Sequence, residues 1–418
     1  MPPEATERTV IRSWKAPVAL LIFSVLYALL LLFAPREGST TFRLSTDADA
    51  IQLPDLVVPV MTTAWICFVL LVLLTIAAAY FVRAGGRTPL WIPIVYILIG
   101  VFGFLTWAAA GATIPVSGLL AGSLGLAIPL IYGALGGVIG ERAGVVNIAI
   151  EGQLLAGAFT AAIVATITGQ PILGLLAAAF AGVLVAAVLA AFAIKYLVDQ
   201  VIVGVVLNVL VTGLTSFFFT QVLQPNAAQL NAPPRFPRIP IPFLSEIPVI
   251  GPVFFRQTII VYLAYIAVAL VYVGMFHTRW GLRLRAVGEH PQAADTVGIK
   301  VNATRFWNVL LAGAIAGIGG TVFTIGNGIA FNKEMTAGAG FIALAAVIFG
   351  QWDPIKATLA ALLFGFASSL QNTLNIIGSP VPSEFMLMLP YLVTIFVVAG
   401  VVGKSRAPAA DGKPYIKG

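Results

Sequence analysis

Residues 281–300 read GLRLRAVGEHPQAADTVGIK, a polar passage in a chain otherwise written in Ala, Val, Leu, Ile, Gly and Phe. Arg283, Arg285, Glu289, His290, Gln292, Asp295 and Lys300 crowd into this one stretch, and apolar runs stand on both sides of it. That contrast decides the fold class. Of 418 residues, 60% are hydrophobic and 9% charged, and the mean hydropathy is +1.01. Soluble domains carry about 25% charged residues, so this chain lacks the charge to cover a surface in water. Its solvent is lipid, and 281–300 is a place where it leaves that solvent.

Working outward, candidate membrane spans fall at 16–34, 57–82, 90–110, 117–140, 146–168, 171–194, 201–223, 257–276, 304–327, 338–350, 355–374 and 384–402. A run needs roughly 20 residues at about 1.5 Å each to span the hydrocarbon. The expectation is an all-α, polytopic helical bundle of about 12 membrane segments, 10 at the fewest. The run GAGFIALAAVIFG at 338–350 is too short to cross unaided. It is either a tilted helix completed by the following QWDP or a re-entrant segment packed against protein. The first run, 16–34, is followed by Pro35, Arg36 and Glu37 rather than a small-residue cleavage site, so it reads as an uncleaved span, with a signal peptide as the alternative.

The charges set the orientation. Arg8, Arg12 and Lys15 place the amino terminus inside, and alternation places Arg83, Arg87, Lys195, the 277–303 passage, Lys404, Arg406, Lys413 and Lys417 inside as well. Both ends are therefore expected inside. The loops 35–56 and 224–256 fall outside, the second dense in proline and so extended. The net charge of +7 follows this inside bias and forms no aromatic-interleaved basic face, so no nucleic-acid partner is expected.

The chemistry is sparse. Cys67 is the single cysteine, and His277 and His290 are the two histidines, so no metal or cofactor site is expected. GVVGKS at 400–405 resembles half a phosphate loop, but the first glycine of G-x-x-x-x-G-K-[ST] would stand at 398, which is Val398. No catalytic constellation appears, so a transport subunit rather than an enzyme is expected.

Three polar features remain. GERAGVVNIAIEGQLLAGAF, residues 140–159, carries Asn147 and Glu151 at i, i+4, one face if the segment is helical. An ionisable group in a membrane segment costs at least about 2.5 kcal/mol and usually faces a partner or an aqueous cavity. Glu151 either lines a pathway or pairs with Arg142 or a backbone amide. Asn208, Thr212 and Thr215 share one helical face, as do Gln371 and Asn375. Neutral groups of this kind suit a polar, uncharged solute or simple interhelical hydrogen bonds. Finally, HPQAADTVG parses as a short helix with His290 at the N-cap, Pro291 at N1 and Gly298 at C′. Such a helix does not stand alone, and Ala293 and Ala294 offer a small face for docking.

GERAGVVNIAIEGQLLAGAF and RWGLRLRAVGEHPQAADTVGIKV together resemble the membrane permeases of ATP-binding-cassette importers. The branch is the one for ribose-type sugars, branched-chain amino acids and nucleosides. ERAGVVNIAIEG is most similar to the nucleoside (simple-sugar) subgroup, usually encoded as two different permeases. The resemblance implies a permease core over 116–403 and a cytoplasmic tail over 404–418, and it leaves 1–115 as an amino-terminal extension with three spans, rich in aromatics and Leu. It implies an ATPase-coupling loop at Gly281, Arg285, Ala286, Gly288, Glu289, Pro291, Ala293, Ala294 and Gly298, with His290 where the family commonly has Asn. Asn147, Glu151, Asn208, Thr212, Gln371 and Asn375 are the expected translocation-path residues. The implied partners are two ATP-binding subunits, a second permease subunit, an extracellular solute-binding lipoprotein and the lipid bilayer of a prokaryotic plasma membrane. The competing reading, an ion-coupled secondary transporter, needs a relay of intramembrane carboxylates.

Overall fold

The computed structural model describes residues 13–46, 49, 51–382, 384–385, 388 and 407–417. Most of the twelfth expected span, the GVVGKS motif, and Arg8 and Arg12 lie outside the described residues. Among the described residues, nine helices are long and apolar enough to cross a membrane. The chain divides into two compact units, Met1–Leu119 with Leu370–Gly403, and Leu120–Ser369 with Lys404–Gly418.

In the first unit, α1 (Lys15–Phe33), α2 (Val60–Arg83) and α3 (Trp91–Ala108) are apolar all round. Their exposed Leu21, Leu32, Ile66, Leu73, Ile97 and Leu98 suit contact with lipid. The three helices meet at Gly103, where an added Cβ would stand 2.9 Å from Cys67 Cβ and against the Tyr27 hydroxyl. A buried polar knot ties them: Ser24 Oγ lies 3.4 Å from Thr75 Oγ1 of α2 and 2.8 Å from the Tyr96 hydroxyl of α3, which donates to the Leu20 carbonyl at 2.8 Å. The loop expected over 35–56 contains strands. β1 (Ser39–Arg43) pairs antiparallel with β2 (Leu56–Pro59) and parallel with β3 (Thr113–Pro115). Arg36 closes this end by donating to the carbonyls of Trp107 and Ala108.

The second unit holds α4 (Val116–Arg142, from Leu120), α5 (Ile150–Thr168), α6 (Pro171–Ala190), α7 (Gln200–Phe218), the single turn α8 (Ala227–Leu230), α9 (Ile259–His277), α10 (Arg279–Glu289), α11 (Pro291–Thr296), α12 (Val301–Gly320), α13 (Ala339–Phe349) and α14 (Pro354–Ile376, to Ser369). Its core is built on small residues. A Cβ on Gly182 would run into the Gly313 carbonyl, one on Gly157 into the Gly317 carbonyl, and one on Gly320 into the Leu154 carbonyl. α12 is thus wedged between α5 and α6 at backbone distance. In lipid, where no hydrophobic force draws helices together, such close approach supplies the packing.

The proline-dense 224–256 stretch is anchored rather than free. Asn231 exchanges two hydrogen bonds with the backbone of Phe331, at 2.9 and 2.7 Å, and β4 (Arg238–Pro240) pairs antiparallel with β5 (Arg256–Thr258).

Two local readings are corrected. Asn147 and Glu151 do not share a helical face. α4 ends at Arg142, Gly144 turns the chain at φ +84°, and α5 starts only at Ile150. Asn147 therefore sits in a non-helical connector where i, i+4 spacing has no meaning. QWDP does not extend α13. Gln351 and Trp352 both take φ +55° and reverse the chain, and Asp353 Oδ1 then accepts from the amides of Ile355 and Lys356 at 3.0 Å to start α14. α13 is left at 11 residues, about 16 Å long, roughly half of a hydrocarbon core.

The polar passage at 281–300 holds the short helix expected in HPQAADTVG and, before it, a second helix. α10 buries Gly281, Leu284, Val287 and Gly288 on one face and exposes Arg283. Its Thr278 cap accepts from the Gly281 amide at 3.3 Å. α11 follows with His290 at the N-cap, making no side-chain cap bond, and Pro291 at N1. Gly298 ends it at φ +85°, a left-handed conformation that glycine adopts without strain.

Candidate functional site

Two polar clusters stand out in the second unit. The first gathers where the chain breaks helix. Glu151 is buried in the first turn of α5. Its Oε1 accepts from Thr336 Oγ1 at 2.6 Å and from the Gly338 amide at 2.9 Å, and its Oε2 accepts from the Gly340 amide at 2.6 Å. Gly338 and Gly340 open α13, so this carboxylate caps a neighbouring half-length helix. Two helix amino termini, each carrying partial positive charge, face it. Of the partners weighed for Glu151 it takes backbone amides; Arg142 instead faces Glu289.

The connector is pinned by amides too. Asn208 on α7 accepts from the Gly152 amide at 2.8 Å and donates to the Ile148 carbonyl at 2.9 Å. Asn147 pairs with Gln153, their amides 3.1 and 3.3 Å apart, and Gln200 Oε1 accepts from the Val146 amide at 2.7 Å. Each of these backbone groups of the broken helix thus finds a side chain, as lipid requires. Thr212 lies half-buried one turn beyond Asn208 on α7. Gln371, half-buried, and Asn375, exposed, belong to the first unit.

The second cluster surrounds α10 and α11. Arg142 Nη1 lies 3.8 Å from Glu289 Oε1, and Arg142 Nε donates to the Trp352 carbonyl at 3.1 Å. Trp352 Nε1 in turn donates to Glu141 Oε2. Gly288 is pressed against the Arg142 carbonyl, where a Cβ would not fit. Arg285 stacks its guanidinium 5.2 Å from the Phe276 ring centre. Gly281 is buried, Ala286 and Pro291 are half-buried, and Gly298 is exposed. Of the alanine pair, Ala294 is 3% exposed and packs inward with Val287, Val301 and Tyr415, whereas Ala293 is exposed. The face available to a partner is therefore the Ala293 side alone.

Residues 407–417 return to this cluster. The Ala410 amide donates to the Gly288 carbonyl at 2.9 Å, and the Ala409 amide to Glu289 Oε2 at 3.2 Å. Arg305, 2% exposed on α12, donates to the carbonyls of Lys413 at 2.8 Å and Ala410 at 3.4 Å. Burial pushes the Asp411 carboxyl up to about 7, against the opposing pull of the Gly412 amide and of Arg305. Arg305 falls inside the apolar run 304–327 and is not among the expected site residues. The signal was there: an arginine inside an apolar helix calls for a named partner.

Among the described residues no group of three His, Cys, Asp or Glu is placed to hold a metal ion. The arrangement offers hydrogen-bonded helix breaks and a short helical platform.

Comparison with known proteins fits this picture. The profile of the branched-chain amino acid transport system / permease component family matches residues 119–398. The guanosine ABC transporter permease protein NupQ of Bacillus subtilis (strain 168) is 44% identical over 307 residues, 70% of this chain and 94% of that protein. The nucleoside ABC transporter permease protein NupC of Lactococcus lactis subsp. cremoris is 40% identical over 312 residues, 72% of this chain and 96% of that one. A second guanosine ABC transporter permease protein of the same Bacillus, NupP, is 28% identical over 295 residues, 68% of this chain and 83% of NupP. No solved structure matches the chain.

Proposed function

Because the chain belongs to the branched-chain amino acid transport system / permease component family, we propose that it forms, with a second and homologous permease subunit, the path by which an ATP-driven importer carries a nucleoside across the membrane. The solute class rests on the guanosine and nucleoside permeases that it resembles. The second permease rests on the presence of two guanosine permease proteins in one Bacillus strain. Two ATP-binding subunits supply the energy, and an extracellular binding lipoprotein delivers the solute. Residues 116–403 form the permease core and 1–115 an added helical layer. An ion-coupled carrier is not favoured, since Glu151 is committed to two amides and a hydroxyl.

The observation that carries the coupling assignment is α11, a helix of six residues. So short a helix is not self-supporting. It is held from within by Ala294 and presents Ala293 outward, a platform for a groove in an ATPase subunit. Asn147, Glu151 and Asn208 hold the helix breaks that shape the path, and Thr212 offers it a neutral hydrogen-bonding group.

The test is guanosine uptake by vesicles holding the assembled transporter. Ala293→Glu buries an unpaired carboxylate at the docked face, a cost of about 3 kcal/mol, or roughly a hundredfold in docking. Uptake and co-purification of the ATPase subunits should both collapse while the variant still inserts. Wild-type uptake in Ala293→Glu would sink the assignment of α11.

A further inference from the structure

We propose that segment 407–417 is the positioning element of the coupling helices, holding α10 and α11 through Arg305 and Tyr415 at the angle from which α11 works on the ATPase. The proposal rests on the reading of α11 given above.

Four observations lead to it. First, the buried Arg305 guanidinium finds hydrogen-bond acceptors on this segment, the carbonyls of Lys413 and Ala410. Without the segment α12 would carry a buried cation with those bonds unmade, which is strongly unfavourable. Second, the backbone contacts fall on the joint between the two helices. The Ala410 amide reaches the carbonyl of Gly288 and the Ala409 amide reaches the side chain of Glu289, the last two residues of α10. Third, Tyr415 seats its ring among Val287 of α10, Ala294 of α11 and Val301 of α12, and its hydroxyl donates to Asp295. One side chain thereby fixes three helices. Fourth, the segment touches the connector that leads to the Glu151 centre: a Cβ on Gly144 would stand 2.7 Å from Arg305 Nη2 and 3.2 Å from the Ala410 carbonyl.

Geometrically, then, the segment spans from the platform to the helix break. A rigid α10–α11 pair can pass a push from its partner to α4, α5 and α12, whereas a pair hinged at His290 would absorb it. Asp411 adds a proton-linked element. Its Oδ1 has no hydrogen-bond partner among the described residues. The charged groups around it are Glu141 of α4 and Arg305 of α12, with Lys413 on the segment and Glu289 on α10 next along the chain contacts.

The experiment uses the full transporter in vesicles and reads guanosine moved per ATP hydrolysed. A chain ended after Arg406 should insert and still co-purify with the ATPase subunits. Its ratio should fall about tenfold, within the usual range of coupling between sites. Amide exchange over 281–297 should quicken in the same variant. Should the shortened chain fail to insert, Tyr415→Ala is expected to lower the ratio and Tyr415→Phe, which keeps the ring, to restore most of it. An unchanged ratio in the shortened chain, or in Tyr415→Ala, overturns the proposal. If Ala293→Glu abolishes uptake while the shortened chain keeps its ratio, the positioning proposal alone fails. If neither change has an effect, the α11 reading fails with it.

Discussion

Replacing Glu151 by Gln removes a charge and little else in shape, so its cost can be worked from the hydrogen bonds. In the wild type the carboxylate accepts three: from Thr336 Oγ1 and the Gly338 amide on one oxygen, and from the Gly340 amide on the other. In its better orientation the substituted side-chain amide keeps its carbonyl on the first pair of donors. Its NH2 group then faces the Gly340 amide, donor against donor. The Gly340 amide is left unpaired and buried, which costs about 1–3 kcal/mol. The two retained bonds fall from charge-assisted to neutral, losing roughly half their strength or about 2 kcal/mol together. The sum is about 4 kcal/mol, since Gly340 is too tightly pressed on Glu151 to move away. Unfolding of the purified variant in detergent, followed by heat and by denaturant, should show a loss of this size. Thr336→Val should be strongly non-additive with it, because both act on one cap. Wild-type stability in Glu151→Gln, or simple additivity with Thr336→Val, would refute the capping argument. Altered uptake at full stability would instead place the carboxylate in contact with solute.

Two further outcomes follow from packing and charge. Gly317→Val should destabilise by more than the ~1–3 kcal/mol usual for overpacking, because its Cβ meets the backbone carbonyl of Ala178 and not a side chain that can turn away; thermal unfolding reads this, and an unchanged midpoint refutes the backbone-contact packing. Asp411, raised from its ordinary 3.8 to about 7 where it is docked, holds its proton more tightly there than when released, so docking of 407–417 is strongest at acid pH and weakens as pH rises toward 7. Chymotryptic cleavage after Tyr415, which is buried while the segment is docked, should therefore increase from about pH 5 to about pH 8 after correction for the protease's own profile, and Asp411→Asn should flatten the rise; the same rise in Asp411→Asn refutes the assignment.

The large divisions of the fold were written in composition. Apolar runs such as 171–194 and 257–276 have no second interpretation in a chain so poor in charge. The short α11 was legible too, because Pro291 and Gly298 punctuate it. What escaped has a common physical cause: it depended on partners distant in sequence. The amphipathic face of α10, with Gly281, Leu284, Val287 and Gly288 inward, was obscured by the positive charges that also serve orientation. The break between α4 and α5 was hidden because Val145, Ile148 and Ala149 look helical in lipid, and the distant side chains of Asn208 and Gln200 help make the unwound backbone tolerable. The small strands β1–β3 bring together residues 39 to 115, which no local pattern could predict.

The same long-range partners explain why the polar passage at 281–300 belongs to an apolar protein. Arg142, at the end of α4, meets Glu289 at the end of α10 and the Trp352 carbonyl in the turn between α13 and α14. Glu141 beside it holds Trp352 through the indole N–H. Under the proposed coupling, a displacement of α11 would pass within two residues to the foot of α4 and to the foot of α13, whose opposite end is capped by Glu151. α13 is a short rigid rod between a charged joint and a carboxylate cap. Under the proposed coupling, moving the joint loads the cap, and the cap sits on the first turn of α5, where the helix resumes after its break. On that proposal no flexible relay is needed across this unit, because Arg142 holds the turn after the half-length helix α13 and the Glu151 carboxylate caps its start.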